Sequence, residues 1–155
     1  AGLPSIFRGR PLVFGLSAPA PVYVEPALRA LGPLVGRNAT LAVLSEATPF
    51  GLAACSQVER WAGEYNFSVV HRRTIPSLAG NETVLAAVAE MQALAPDAVL
   101  GCIERSTCGD LLQSAQALDF NPKAVVLTEC LEIHDAASQL GIMGRHLIGA
   151  ASWVP

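Results

Sequence analysis

Glu104, Arg105, Ser106 and Thr107 put an acid, a base and two hydroxyls into four consecutive positions, just after the apolar run AVLGC (98–102). Such a set can grip a charged small molecule, or it can be an ordinary polar loop between a strand and a helix. Two more stretches carry similar chemistry: Glu46, Thr48 and Phe50 in EATPFG (46–51), and Thr128 and Glu129 in VVLTEC (125–130). These nine residues are the candidate ligand-binding set.

Catalytic patterns are missing. No G-x-S-x-G elbow occurs, so a hydrolase of that type lacks its nucleophile. Neither G-x-G-x-x-G nor a Walker lysine is present, which removes the usual phosphate loops. His71, His134 and His146 are far apart, and no cysteine stands at zinc spacing. Cys102 or Cys108 near a histidine could form a thiolate nucleophile, but nothing nearby supplies a base. The expectation is a protein without enzyme activity, cofactor or metal.

Elements that could position the polar stretches follow from hydrophobic period. Ala39–Ser45, Ser68–Thr74, Ala98–Cys102, Ala124–Thr128 and His146–Ser152 are short apolar runs, as expected of parallel strands covered on both faces. Between them lie helix-period segments. Leu52, Cys55, Val58, Ala62 and Tyr65 form one stripe after the cap Thr48 and Pro49. Val84, Leu85, Val88, Met91 and Leu94 form the next, ending at Ala95-Pro96. Leu111, Leu112, Ala115 and Leu118 form a third, with Thr107 and Asp110 as its capping box. Further helices are expected from about Val22 to Leu34 and from about His134 to Leu140. This alternation predicts an α/β fold: a doubly wound, parallel five-stranded sheet in the order 2-1-3-4-5, with helices on both faces. Ligands bind such sheets outside the carboxyl ends of the strands, where strand order reverses. That point lies between the first and third strands, whose exits are EATPFG and IERSTCG.

A length of 155 residues suits one domain that buries roughly two-thirds of its unfolded surface. Apolar residues make up 52% and charged ones only 15%, which excludes a disordered chain. Net charge is −3 without a basic run, so no nucleic-acid partner is expected. No apolar stretch is long enough to span a membrane, and no membrane contact is expected of this segment. The start at Ala1, without a charged leader, suggests a segment cut from something larger.

Three of the four asparagines, Asn38, Asn66 and Asn81, head N-x-S/T sequons, which points to a secreted or extracellular glycoprotein. Cys55 falls on a buried helical stripe and is expected to be a packed thiol. A Cys102–Cys108 bridge would close a short loop around Glu104–Thr107. Cys130 is an alternative partner for either cysteine, and free thiols remain a further alternative.

The runs LVFGLSAPAP, ATLAVLSEATPFGLAACSQVERWA, DAVLGCIERSTCGDLLQSAQALDFNPKAVVLTE and LIGAASWVP resemble type I periplasmic binding proteins. They are most similar to the leucine/isoleucine/valine-binding group, whose fold also forms receptor ectodomains. The resemblance implies two lobes around a ligand cleft, with this chain as the second lobe. Segments 12–17 and 150–155 would cross the hinge to a first lobe outside the chain. Position by position, it puts an apolar wall at Phe50 in place of the family's tyrosine, and Glu104 and Arg105 where an aromatic is usual. The acid that accepts a ligand's amino group falls at Glu129. The function implied is binding of a small polar metabolite, an amino acid or relative, shared with the first lobe. The alternative is a glycosylated interaction module in a larger extracellular assembly, possessing the fold without the ligand and contacting other extracellular subunits.

Overall fold

A computed structural model of the chain describes residues 3–9, 11–12, 18–130 and 147–149. In chain order the elements are α1 (Pro4–Phe7), a 3-10 turn (Ala20–Val22), α2 (Glu25–Val35), β1 (Ala39–Glu46), α3 (Pro49–Ala54), α4 (Val58–Glu64) and β2 (Phe67–Ile75). Then follow α5 (Asn81–Ala93), β3 (Ala98–Cys102), α6 (Arg105–Ala117), β4 (Ala124–Leu127) and β5 (Leu147–Gly149). The five strands form one sheet in the order β2-β1-β3-β4-β5, and every neighbouring pair is parallel. This is the predicted α/β architecture. The expected helix around His134–Leu140 and the hinge segments, apart from the exposed Leu12, lie outside the described residues.

Strand parity divides the core in two, because successive side chains point to opposite faces of a sheet. Leu41, Val43, Leu100, Cys102 and Val126 pack with Leu28, Leu31, Ala54, Cys55 and Val58 of α2, α3 and the start of α4. Ala42, Leu44, Val99, Ile103 and Leu127 pack instead with Val84, Val88, Met91, Cys108 and Leu111 of α5 and α6. Both faces of β1 and β3 are thus apolar, as parallel strands covered on two sides require. β2 differs from expectation. It is an edge strand whose burial alternates between half-covered and exposed residues.

Two helix boundaries depart from the sequence reading. The single helix expected after Thr48 is broken into α3 and α4 at Cys55–Gln57. There the Ser56 amide and hydroxyl both donate to the Ala53 carbonyl, and Cys55 is tied to the sheet by a disulfide. The Thr48 cap itself forms, its hydroxyl accepting from the Gly51 amide at 3.0 Å. The capping box of Thr107 and Asp110 does not form. α6 starts a turn earlier, with Glu104 at its N-cap, and the Thr107 hydroxyl, now inside the helix, donates to the buried Glu46 carboxylate.

The Cys102–Cys108 bridge does not form, and of the alternatives left open by the sequence the one to Cys130 does. Cys55 pairs with Cys102 and Cys108 with Cys130. Parity explains this: Cys102 points into the core beneath α3, whereas Cys108 and Cys130 lie in the core beneath α5 and α6. A bridge from Cys102 to Cys108 would have to pass through the sheet. Cys55 is therefore no packed thiol, and Cys130 is the partner of Cys108.

Candidate functional site

The carboxyl ends of β1, β2 and β3 come together around one buried side chain. Glu46, the last residue of β1, is completely buried. Its Oε1 accepts from the Leu78 amide at 3.2 Å. Its Oε2 accepts from the Glu104 amide at 2.9 Å and the Thr107 hydroxyl at 3.1 Å. One carboxylate therefore ties the loop after β2 to the first turn of α6, whose N-terminal amides favour a negative charge. Next to it, the Ala47 amide donates to the Ile75 carbonyl at 2.8 Å and joins the exits of β1 and β2.

The exits of β3 and β4 are joined in the same way. The buried Thr128 hydroxyl donates to the Ile103 carbonyl at 2.8 Å and accepts from the Ile103 amide at 3.2 Å. Gly51 lets the first turn of α3 approach the sheet. A Cβ there would stand 2.5 Å from the Glu46 carbonyl and 2.8 Å from that of Cys102. The two disulfides hold the same edge, one from the end of α3 to the end of β3, the other from α6 to the residues after β4.

The nine candidate residues all lie along this edge, but in two roles. Glu46, Thr48, Thr107 and Thr128 are buried and hydrogen-bonded within the protein, so they are framework. Arg105 and Ser106 are exposed at the start of α6, with the half-buried Glu104 before them. Glu129 is half-buried after Thr128. Phe50 is half-buried, and its ring meets that of Tyr23 edge-on with centroids 5.8 Å apart. The solvent-facing part of the site is thus Phe50, Glu104, Arg105, Ser106 and Glu129.

Sequence reasoning missed Leu78. It stands in the loop after β2 with φ of +56°, a left-handed conformation costing a leucine about 1–2 kcal/mol, and the residue is 79% exposed. PSLAGN (76–81) looks like a generic turn, and nothing in its composition marks the leucine. The framework role of Glu46 could have been read from parity. An even-numbered position in β1 faces the α5 and α6 side, provided that the strand is taken one residue further.

The sequons lie apart from the edge, except one. Asn38 and Asn66 are exposed just before β1 and β2, at the opposite end of the strands. Asn81 is exposed at the start of α5. With its nitrogen turned inward, its amide donates to both carboxylate oxygens of Asp110 at 3.0 Å. Among the described residues, no helix is long and apolar enough to cross a membrane.

No protein-family model matches the chain, and no curated protein matches it. Solved structures do. An ABC-transporter substrate-binding protein from Aeropyrum pernix superposes with a TM-score of 0.79 at 17% identity, over 90% of this chain and 36% of that one. A branched-chain amino acid ABC transporter from Thermus thermophilus with bound valine gives 0.72 at 16%, over 86% and 34%. An extracellular ligand-binding receptor from Verminephrobacter eiseniae gives 0.72 at 16%, over 94% and 41%. This chain therefore spans well under half the length of these proteins. Its fold is that of one lobe of a periplasmic-binding-protein-like structure, as the sequence resemblance implied.

Proposed function

We propose that the chain is the ligand-binding lobe of an extracellular solute-binding or receptor-type sensor protein. The ligand is a small polar metabolite, an amino acid or relative, held jointly with a companion lobe reached through segments 12–17 and 150–155. The observation carrying this reading is the rigid, partly charged edge where β1, β3 and β4 end, built on a lobe otherwise found in substrate-binding proteins. Two disulfides and three sequons support an oxidising, extracellular setting.

In this reading Glu129 receives the ligand's ammonium, Phe50 offers the accessible part of its ring, and Arg105 is a second anchor for an anionic group. Closure of the lobes partly excludes water, so a charge-assisted bond to Glu129 contributes roughly 1.5–3 kcal/mol. Calorimetric titration of the full-length protein with an amino-acid panel tests it. Glu129→Gln should weaken ammonium-bearing ligands about tenfold or more. Arg105→Ala should matter only for ligands with a second carboxylate.

A second reading is favoured by one specific observation: at least four of the nine polar or aromatic candidates are occupied inside the protein. An interaction module that has the fold without a ligand needs only that framework. If no amino acid binds the full-length protein, this is the better account.

A further inference from the structure

β2 is the longest described strand and forms one edge of the sheet: β1 pairs with one side of it, and no described strand pairs with the other. An edge strand offers unpaired amides and carbonyls to any other strand, so edges are blunted by charges, bulges or covering groups. The carboxyl half of β2 is guarded in this way. The register slips at Val70, since Leu41 pairs with Val69 and the next residue, Ala42, with His71. Beyond that bulge Arg72 meets Glu59, and Arg73 meets Glu90. The amino half, Phe67-Ser68-Val69-Val70, has no charge and no proline, and Val70 is 40% exposed. Phenylalanine and valine favour strands, so this half is the open one. Directly before it stands the exposed Asn66, which heads the sequon Asn66-Phe67-Ser68.

We propose that Asn66 carries an N-linked glycan that shields the amino half of β2, and that without it copies of this protein pair through that edge. The proposal rests on the extracellular part of the reading above and goes beyond it by giving one modification a task. The co-reactant is an oligosaccharide joined to a lipid pyrophosphate. The bond from the Asn66 Nδ2 to the first sugar carbon forms, the bond from that carbon to the pyrophosphate oxygen breaks, and one amide proton leaves. Val70 stands four residues on, about 13 Å along the strand. A branched, solvated glycan spans that distance and displaces no core. Asn38 is the natural contrast. It lies beside Asn66 across the β1–β2 ladder but precedes an interior strand, so a sugar there covers no edge.

The test uses full-length protein made in a glycosylating host. Glycopeptide mass spectrometry should find sugar on Asn66. Sedimentation then reads the mean mass against concentration for wild type and four variants. Ser68→Ala removes the sequon and leaves Asn66 and its backbone in place, so its mean mass should rise with concentration while that of wild type stays flat. Ser68→Thr keeps the sequon and adds a methyl group at the same position, so it should behave as wild type. Asn38→Gly removes the neighbouring sugar and keeps a residue suited to the positive φ, and its mass should also stay flat. Adding Val70→Lys to Ser68→Ala places a charge on the open half of the edge and should abolish the rise.

Sugar on other sequons but none on Asn66, a flat mass in Ser68→Ala, or an equal rise in wild type or Asn38→Gly overturns the proposal. So does association that appears in glycosylated Ser68→Thr or persists when Val70→Lys is added. If no sequon carries sugar, the glycoprotein part of the extracellular reading fails and the proposal fails with it. The ligand titrations decide the binding reading separately.

Discussion

Glu46 and Asp97 are both acids at strand ends, and each is held by protein donors. Glu46 has protein donors on both oxygens and no contact with solvent. Asp97 lies at the opposite end of the sheet, before β3. Its Oδ2 accepts from the Thr40 amide at 2.8 Å and the Thr40 hydroxyl at 3.0 Å, and Lys123 lies 2.6 Å from Oδ1. The Lys123 ammonium, more than any other group, draws the Asp97 carboxyl down to about 2, with the Thr40 amide acting in the same direction. A depressed folded pKa means stability that is present in full above the unfolded value near 3.8 and lost as pH falls towards 2. Denaturant unfolding between pH 5 and 2, in about half-unit steps, should therefore show a steeper acid decline in wild type than in Asp97→Asn. The difference will be modest, since Asp97 is a quarter exposed and water screens the pair. Parallel acid limbs would remove Asp97 from the account.

Elements were more legible in the sequence than the bonds between them. The first four strands stand within one residue of the expected runs, because apolar period and flanking turn residues are local signals. The disulfides were not legible, since they depend on which face each cysteine takes once the strands are in register. Cys102 and Cys108 are six positions apart in the chain but on opposite faces of the sheet, whereas Cys55 meets Cys102 across 47 positions. The α3–α4 break belongs to the same class, a long-range tie at Cys55 that no helical stripe announces. Loop-closure entropy gives each bridge, at separations of 47 and 22 residues, a contribution of roughly 3–4 kcal/mol. Replacing Cys55 and Cys102 together by serine should lower the midpoint of urea unfolding accordingly. Replacing Cys108 and Cys130 should do the same, and should also speed amide exchange around Glu129. If either double variant keeps the wild-type midpoint, that bridge is not a stabilising constraint.

At the scale of the whole molecule, the strand order and both covered faces followed from alternation alone, and they pointed to the edge where the candidate residues gather before any contact was known. What alternation could not tell is which polar residues face solvent, and the sequons show the same limit. Asn38 and Asn66 have φ of +58° and +61°, so asparagine is favoured at both on conformational grounds, whether or not it carries sugar. Thr40, two positions after Asn38, lies within β1, where threonine is common, and Ser68, two positions after Asn66, lies within β2. The two asparagines stand together, because Ala39 and Phe67 are paired in the β1–β2 ladder. Glycans there would be remote from the carboxyl edge and would leave a closing cleft unobstructed. Asn81 has no positive φ that calls for asparagine, but its amide bonds Asp110, and a glycan there would displace that bond. Glycosidase treatment of protein from its native source should reduce the intact mass. In unglycosylated protein, Asn38→Gly and Asn66→Gly should stay near wild-type stability, while Asn38→Gln and Asn66→Gln each cost about 1 kcal/mol. A glutamine variant as stable as the glycine one would show that backbone conformation does not require asparagine there. An unchanged mass would remove glycosylation from the extracellular argument and leave it resting on the two disulfides.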